Sequence, residues 1–352
     1  MKKLFFIAAI ASAALVSCTK NEVAPVSFEK EITFAVPVVG PQTKAPQYGE
    51  IPVGYNVNES FGVYAVHTDD NLTAWADGTL YMGSTGVGLL CEKHTTGDYW
   101  APQTPYYWPK EGKLSFAGYS PYEVSGTVTY GPAGLSVVKH NVSTNTAMHV
   151  DFMYAPRVYN YTASVLTDGE ETPDNHPYTG VDILFKHAMS SIIFKVARNS
   201  SIDANTIITL NKITLEQPYM VADFHENITD GETYEHTPAW SEWSTAQDII
   251  TYNTPDALTT DLKEYVNNGD DDIILIPQTL SEDVKVVLDY TITNPAGQSV
   301  HQVSSIQLNT TGTDKWEIGK RYTYNITIGL EEIKFDPAVT NWTDVPAIGI
   351  TK

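Results

Sequence analysis

The sequence predicts an all-β protein built as antiparallel sandwiches, on three observations. Apolar residues recur at every second position in several stretches. The 352-residue chain carries 21 Tyr and 7 Trp together with abundant Thr, Val and Ile, the residue types that fit a pleated, half-buried surface. Only one stretch has helical spacing. A period of two sends alternate side chains to opposite faces of a strand, so one face becomes core and the other meets water.

Taken in chain order, Val26, Phe28, Ile32, Phe34, Val36 and Val38 share one parity, so residues 26–38 read as a strand. Ile192, Phe194 and Val196 form a second apolar face. A third is Val284, Val286, Leu288, Tyr290 and Ile292, with Asp283, Lys285, Asp289 and Thr291 among the residues between them. The fourth is Tyr322, Tyr324, Ile326, Ile328 and Leu330, set against Thr323, Asn325 and Thr327. All are expected to be half-buried antiparallel strands. The exception is a helix over residues 256–266, where Leu258, Leu262 and Val266 lie four apart and Asn267-Asn268-Gly269 supplies a stop.

The length suggests roughly two domains. Polar, turn-rich stretches at 167–179 and 199–205 interrupt the strands, and the boundary is expected near Asn199, giving an N-terminal sandwich over 45–199 and a C-terminal one over 200–352. The formal charge is −21, opposite in sign to that of a nucleic-acid or anionic-membrane binder, so no nucleic-acid partner is expected.

The N-terminus reads as an export signal. Lys2 and Lys3 precede an uncharged, apolar run of thirteen residues, Leu4 to Val16, too short to span a bilayer. Leu15-Val16-Ser17-Cys18 resembles a bacterial lipobox, in which the Cys18 thiol takes a diacylglycerol thioether. Residues 1–17 are then a signal peptide, and its removal takes the formal charge to −23. Each buried acyl methylene contributes about 0.8 kcal/mol, so two or more chains would hold the protein on a membrane.

Motifs for chemistry are incomplete. His225-Glu226-Asn227-Ile228-Thr229 begins like a zinc-protease helix, but Thr229 stands where the second histidine is needed. Asp69, Asn71 and Thr73 imitate a calcium loop, yet Ala74 replaces the turning glycine and Leu80 the closing glutamate. Asp270-Asp271-Asp272 reads as a wet acidic loop. Gly86-Val87-Gly88 reaches Cys91 where a dinucleotide fingerprint wants a third glycine. There is no Gly-x-Ser-x-Gly elbow, and the nine His are scattered. His187 reads as a satisfied core residue, and Cys91, the one cysteine outside the lipobox, as a buried small hydrophobe. Tyr99, Trp100, Tyr106, Tyr107 and Trp108 could stack on sugars if exposed, with core packing the favoured reading. No catalytic residue, cofactor or metal is expected, and the protein is read as non-enzymatic.

Several segments, taken in order, resemble the fimbrillin family of Bacteroidales lipoproteins, the subunits of type V pili. After the lipobox come residues 31–34, then Thr43-Lys44-Ala45, residues 61–65, Tyr107-Trp108-Pro109 before 114–116, and residues 151–155. The series continues with 185–192, Leu275-Ile276-Pro277-Gln278, residues 316–322 and Val339-Thr340-Asn341-Trp342. The resemblance implies two transthyretin-like β-sandwich domains in tandem. It also implies an assembly mechanism: a surface protease cuts at Lys44-Ala45, releases residues 18–44 with their lipid, and another subunit's strand fills the groove. The removable strand would carry Phe28, Ile32, Phe34 and Val36. The donor would be C-terminal, with Ile333, Phe335 and Val339 on one parity and Ile348 and Ile350 on another. The family's best-studied processing protease type prefers Arg, whereas this chain offers Lys44.

The expected function is a structural or adhesive fimbrial subunit whose partners are other fimbrillin subunits, with a host or bacterial surface glycan or protein as receptor. The resemblance implies a lipid-anchored, surface-exposed location on the outer membrane before processing and in the fimbrium after it; an anchor would keep residues 18–44 and a shaft subunit would lose them. The alternative is a surface-anchored lipoprotein that binds glycans. Cys18→Ala is expected to abolish fatty-acid labelling and membrane retention, read by metabolic labelling; equal labelling of the variant would overturn the lipobox assignment.

Overall fold

The computed structural model describes residues 30–35, 60–93, 99–163, 180–230, 235–266, 272–310, 314–330 and 333–342. Among them the chain is all-β apart from two single 3-10 turns, Trp75–Asp77 and Thr146–Met148.

The N-terminal half is organised by a nine-stranded sheet. Its centre pairs Ser60–Thr68 with Leu89–Lys93 on one side and Lys113–Ser120 on the other. Met153–Tyr161 and Lys186–His187 continue one flank, and Trp100–Pro102, Phe34–Ala35 and Val181–Asp182 the other. The two outermost strands, Val181–Asp182 and Lys186–His187, are joined by only residues 183–185. Three residues span little more than 10 Å, so the sheet must roll over until its two ends nearly meet. The enclosed core holds Phe34, Phe61, Phe116 and Phe185, all fully buried.

The outer face of this sheet is covered as well. Tyr64, Ala117 and Tyr119 join Tyr130, Leu135 and Val137 of a four-stranded sheet, Thr127–Gly131, Gly134–Asn141, Tyr219–His225 and Ala239–Ala246. That sheet draws strands from both sides of Asn199. A buried arginine seals the contact: Arg157 donates to Tyr130 Oη at 2.9 Å, Asp230 at 2.8 Å and the carbonyls of Gly131 and Pro132, while its guanidinium lies 4.6 Å from the Trp75 ring.

The C-terminal half is a sandwich of two five-stranded sheets. In one, Ser190–Arg198 lies beside Lys320–Ile328, which pairs onward with Ile333–Asn341. In the other, Ile207–Glu216 pairs Lys285–Thr293, which pairs Ser299–Gln307. Phe194, Val196, Tyr324 and Ile326 of the first face Ile208, Leu210, Val286 and Leu288 of the second in one core. The alternation read from 284–292 and 322–328 is the burial pattern of these strands.

Three expectations are corrected. Residues 256–266 form no helix: Asp256–Ala257 pairs with Thr209 and Leu210, and Lys263–Glu264 with Lys195 and Val196. Leu262 is exposed, and Tyr265 instead packs edge-on against Tyr252 with its hydroxyl on Asp256. Two open sheet edges offer this segment more than its helix propensity, weak across Thr259, Thr260 and Tyr265, could supply. Leu330 lies past the strand end at Ile328 and is 60% exposed. Finally, Ser190–Arg198 runs parallel, not antiparallel, to Lys320–Ile328. Being central and covered on both sides, it is buried along nearly its whole length, as parallel strands usually are.

Two buried histidines make stability acid-sensitive. His149 Nδ1 accepts from the Ile274 amide at 3.1 Å while Nε2 donates to the Ser143 carbonyl at 2.9 Å, an arrangement that only the neutral ring satisfies. Burial lowers the pKa of both His140 and His149 to about 4. The unfolded chain protonates each near pH 6.5, the folded chain only near 4, so stability is full above 6.5 and falls as pH drops toward 4. A loss on the order of a few kcal/mol across that window is expected in urea titrations. His149→Gln should flatten part of the slope.

Candidate functional site

The site is the slot occupied by the first strand. Six described residues, 30–35, run between two strand edges. On one side the Ile32 amide donates to the Tyr106 carbonyl at 2.7 Å and the Trp108 amide to the Lys30 carbonyl at 2.9 Å, with Glu31 bridged to Tyr107. On the other the Val181 amide donates to Thr33 at 2.8 Å and the Ile183 amide to Ala35 at 3.0 Å. Phe34 thus faces Trp100 in antiparallel and Val181 in parallel register. The segment satisfies both edges at once, and each buried main-chain group it left unpaired would cost about 1–3 kcal/mol.

Its side chains fill the rolled sheet. Ile32 is 1% and Phe34 0% exposed. The Phe34 ring meets Phe61 and Phe116 edge-on at 5.5 and 5.6 Å, the geometry that aligns ring edges with ring faces. Gly180 sets the depth of the slot, because a Cβ there would sit 2.4 Å from the Thr33 carbonyl carbon. Backbone cannot yield as a flexible side chain can, so only glycine lets the 181–183 edge close on the strand. Sequence reading did not single out Gly180 or Arg157; nothing in their neighbourhoods distinguishes them from an ordinary turn glycine and a strand-surface arginine.

Of the removable-strand residues, Ile32 and Phe34 occupy this slot, while Phe28 and Val36 lie outside the described residues, as do Cys18, Lys44, Ala45, Ile348 and Ile350. Ile333, Phe335 and Val339 belong to the strand Ile333–Asn341, paired over all nine residues with Lys320–Ile328 of the same chain. Trp100 and Trp108 are buried in the rolled core, leaving Tyr107 the exposed member of that aromatic group. Cys91 is fully buried beside them, and burial pushes its thiol well above its ordinary pKa.

The remaining motif segments meet at the junction of the two halves. The Trp342 amide donates to Gly319 O, the Gly319 amide to Met189 O and the Ala188 amide to Phe152 O, each at 2.9 Å. The His187 ring stacks on Trp342 with centroids 4.0 Å apart, and its Nδ1 lies 2.6 Å from Asp151 Oδ2. Burial raises the Asp151 pKa, opposed by His187 and reinforced by Asp272. Asp270 and Asp271 lie outside the described residues, but Asp272 departs from the expected wet acidic loop: it is 5% exposed, 2.7 Å from Arg321, and accepts from the Ser191 hydroxyl. Glu226, of the incomplete zinc motif, is buried and accepts from the Leu135 amide at 2.9 Å. Among the described residues no group of three or more His, Cys, Asp or Glu side chains is arranged to hold a metal.

A profile of the fimbrillin-like family matches residues 49–342. Among solved structures, a fimbrial protein from Bacteroides vulgatus superposes with a TM-score of 0.61 at 18% identity, over 89% of this chain and 100% of its own. A proposed cell adhesion protein from Bacteroides uniformis gives 0.50 at 15% identity, over 91% of this chain and 100% of its own. At such identities the likeness is one of fold. No curated relative matches.

Phe34→Ala removes a ring buried on all sides and is expected to cost about 3–5 kcal/mol, read as a lowered urea midpoint. Gly180→Ala, a change of one methyl at the slot wall, should expose residues 30–35 to proteolysis while the Cys91 side of the core stays folded.

Proposed function

The chain belongs to the fimbrillin-like family, and on that premise we propose that it is a non-enzymatic subunit or adhesin of a cell-surface fimbrium, assembled by release and replacement of its first strand. The carrying observation is the slot itself: residues 30–35 hold two strand edges together and put Ile32 and Phe34 into a core that otherwise comes from residues 61–185. A strand held by main-chain bonds to both neighbours and by alternate side chains in pockets can be replaced by any extended segment with the same alternation. Lys44 follows Ala35 by nine residues, so a cut at Lys44-Ala45 would detach the strand, and the Cys18 lipid with it, from the body of the protein.

The donor in this reading is the tail after Trp342, with Ile348 and Ile350 as its apolar alternation. Ile333, Phe335 and Val339 are already paired within their own sheet. Trp342, the last described residue of that segment, is stacked on His187. The partners are further copies or other fimbrillin subunits, a surface protease and, until processing, the outer membrane.

A second reading, glycan binding, draws on one groove of about 390 Å³ beside Trp243. The Trp243 ring is 42% exposed and fixed by its N–H on the Pro277 carbonyl at 2.9 Å, with Lys315 and Glu317 along the same groove. A held aromatic face beside polar groups suits a sugar ring.

N-terminal mass analysis of shed and cell-retained protein tests the first reading. Shed protein should begin at Ala45, and Lys44→Ala should abolish it. Deleting residues 345–352 should stop chain growth while leaving the thermal midpoint of the monomer unchanged. A processed protein that stays monomeric at every concentration, or a tail deletion that polymerises normally, would overturn strand replacement.

A further inference from the structure

Among the described residues, one sheet edge lacks the devices that keep strands from pairing with other molecules. The strand Ser299–Gln307 pairs Lys285–Thr293 along one side in unbroken register, from Lys285 opposite Gln307 to Thr293 opposite Ser299. It is the last strand of its sheet among the described residues. Seven of its nine residues are exposed, including Val300 at 55% and Val303 at 58%. Natural edges are blunted by proline, charge, bulges or shortness, and three other edges here follow that rule. Ile333–Asn341 carries Lys334, Asp336 and Pro337. Ala239–Ala246 is bulged, with positive φ at Glu242 and Thr245. Ile249–Tyr252 has only four residues and a register shift. Ser299–Gln307 has no proline, no carboxylate, no lysine and no bulge.

We propose that Ser299–Gln307 is a self-association edge, at which a second copy of this chain pairs its own Ser299–Gln307 in antiparallel about a twofold axis. The sequence of the strand favours that occupant. With Val303 on the axis facing its own copy, Val300 falls opposite Ile306 and Gln302 opposite Ser304. His301 then meets Ser305, and Ser299 meets Gln307. Every pair is apolar with apolar or polar with polar, and no like charges stand directly opposite one another. Charge points the same way. In a chain of net charge −21, two copies repel over most approaches, and this edge brings no carboxylate of its own to the contact. His301 is already held 2.8 Å from Asp289 of the neighbouring strand.

The pairing would join two five-stranded sheets into one. A nine-residue antiparallel ladder makes about one main-chain hydrogen bond per residue, near the roughly ten of an ordinary protein interface. A twofold contact closes on itself. It therefore links copies side by side, whereas the replacement strand links them end to end, and it requires neither processing nor the C-terminal tail.

The test uses the unprocessed chain carrying Cys18→Ala and Lys44→Ala, so that the first strand stays in its slot and failure of strand replacement leaves the measurement untouched. Sedimentation velocity over a concentration series should show a monomer–dimer equilibrium. Val303→Lys and Val303→Glu each place like charges face to face on the axis and should weaken dimerisation roughly tenfold or more. Mixing the two variants should restore it, because only the mixed pair joins opposite charges. Val300→Lys, which breaks the pair with Ile306, is the second disruptor if the Val303 variants have a lowered thermal midpoint. A chain that is monomeric throughout, variants that dimerise like the parent, or a mixture no tighter than its components would overturn the proposal.

Discussion

The structure depends on two strand edges that do not pair with each other. Residues 100–108 and 181–183 both present main-chain groups toward the same gap, and only a third strand between them satisfies both. Once it is in place, the sheet rolls, its ends are bridged by residues 183–185, and the core around Phe61, Phe116 and Phe185 is closed. The requirement is one of geometry and hydrogen bonding, with no demand that the third strand come from the same chain. Intrachain and interchain filling of the slot are therefore alternatives of similar physical kind, which is the property the proposed strand replacement relies on.

The junction between the halves is built differently. Asp151 with His187, and Asp272 with Arg321 and Ser191, are buried polar groups placed where Trp342, Gly319 and Met189 exchange main-chain bonds. Desolvation offsets much of what such pairs contribute, yet breaking one strands a charge and costs about 3–5 kcal/mol. Their effect is to fix one relative placement of the sheets. A four-stranded sheet with strands from both sides of Asn199 adds to this, joining the two halves through paired backbone.

Much of the fold was legible because burial on one face leaves a period of two in the sequence. Residues 284–292 and 322–328 read as strands and are strands, and Ile32 and Phe34 read as one apolar face and are buried together. The misreadings share a cause. Leu258 and Leu262 have helical spacing, yet the outcome was set by two distant strands with vacant edges. Asp272 looked solvated among its acidic neighbours until Arg321, 49 residues away, was brought beside it. In each case the deciding partner is remote in sequence, and local spacing carries no trace of it.

The sequence by itself determined the class of the fold, the strands whose faces differ in polarity, and the segments that carry the family likeness, because these follow from which side chains must leave water. Only the tertiary structure decided which strand lies beside which. It made the Ser190–Arg198 pairing with Lys320–Ile328 parallel, set Gly180 against Thr33 where no side chain fits, and left Ser299–Gln307 with an open edge among the described residues. Main-chain hydrogen bonding is the same for every residue but proline. The choice of neighbour is therefore written in the packing of whole sheets, where residues far apart in the chain first meet.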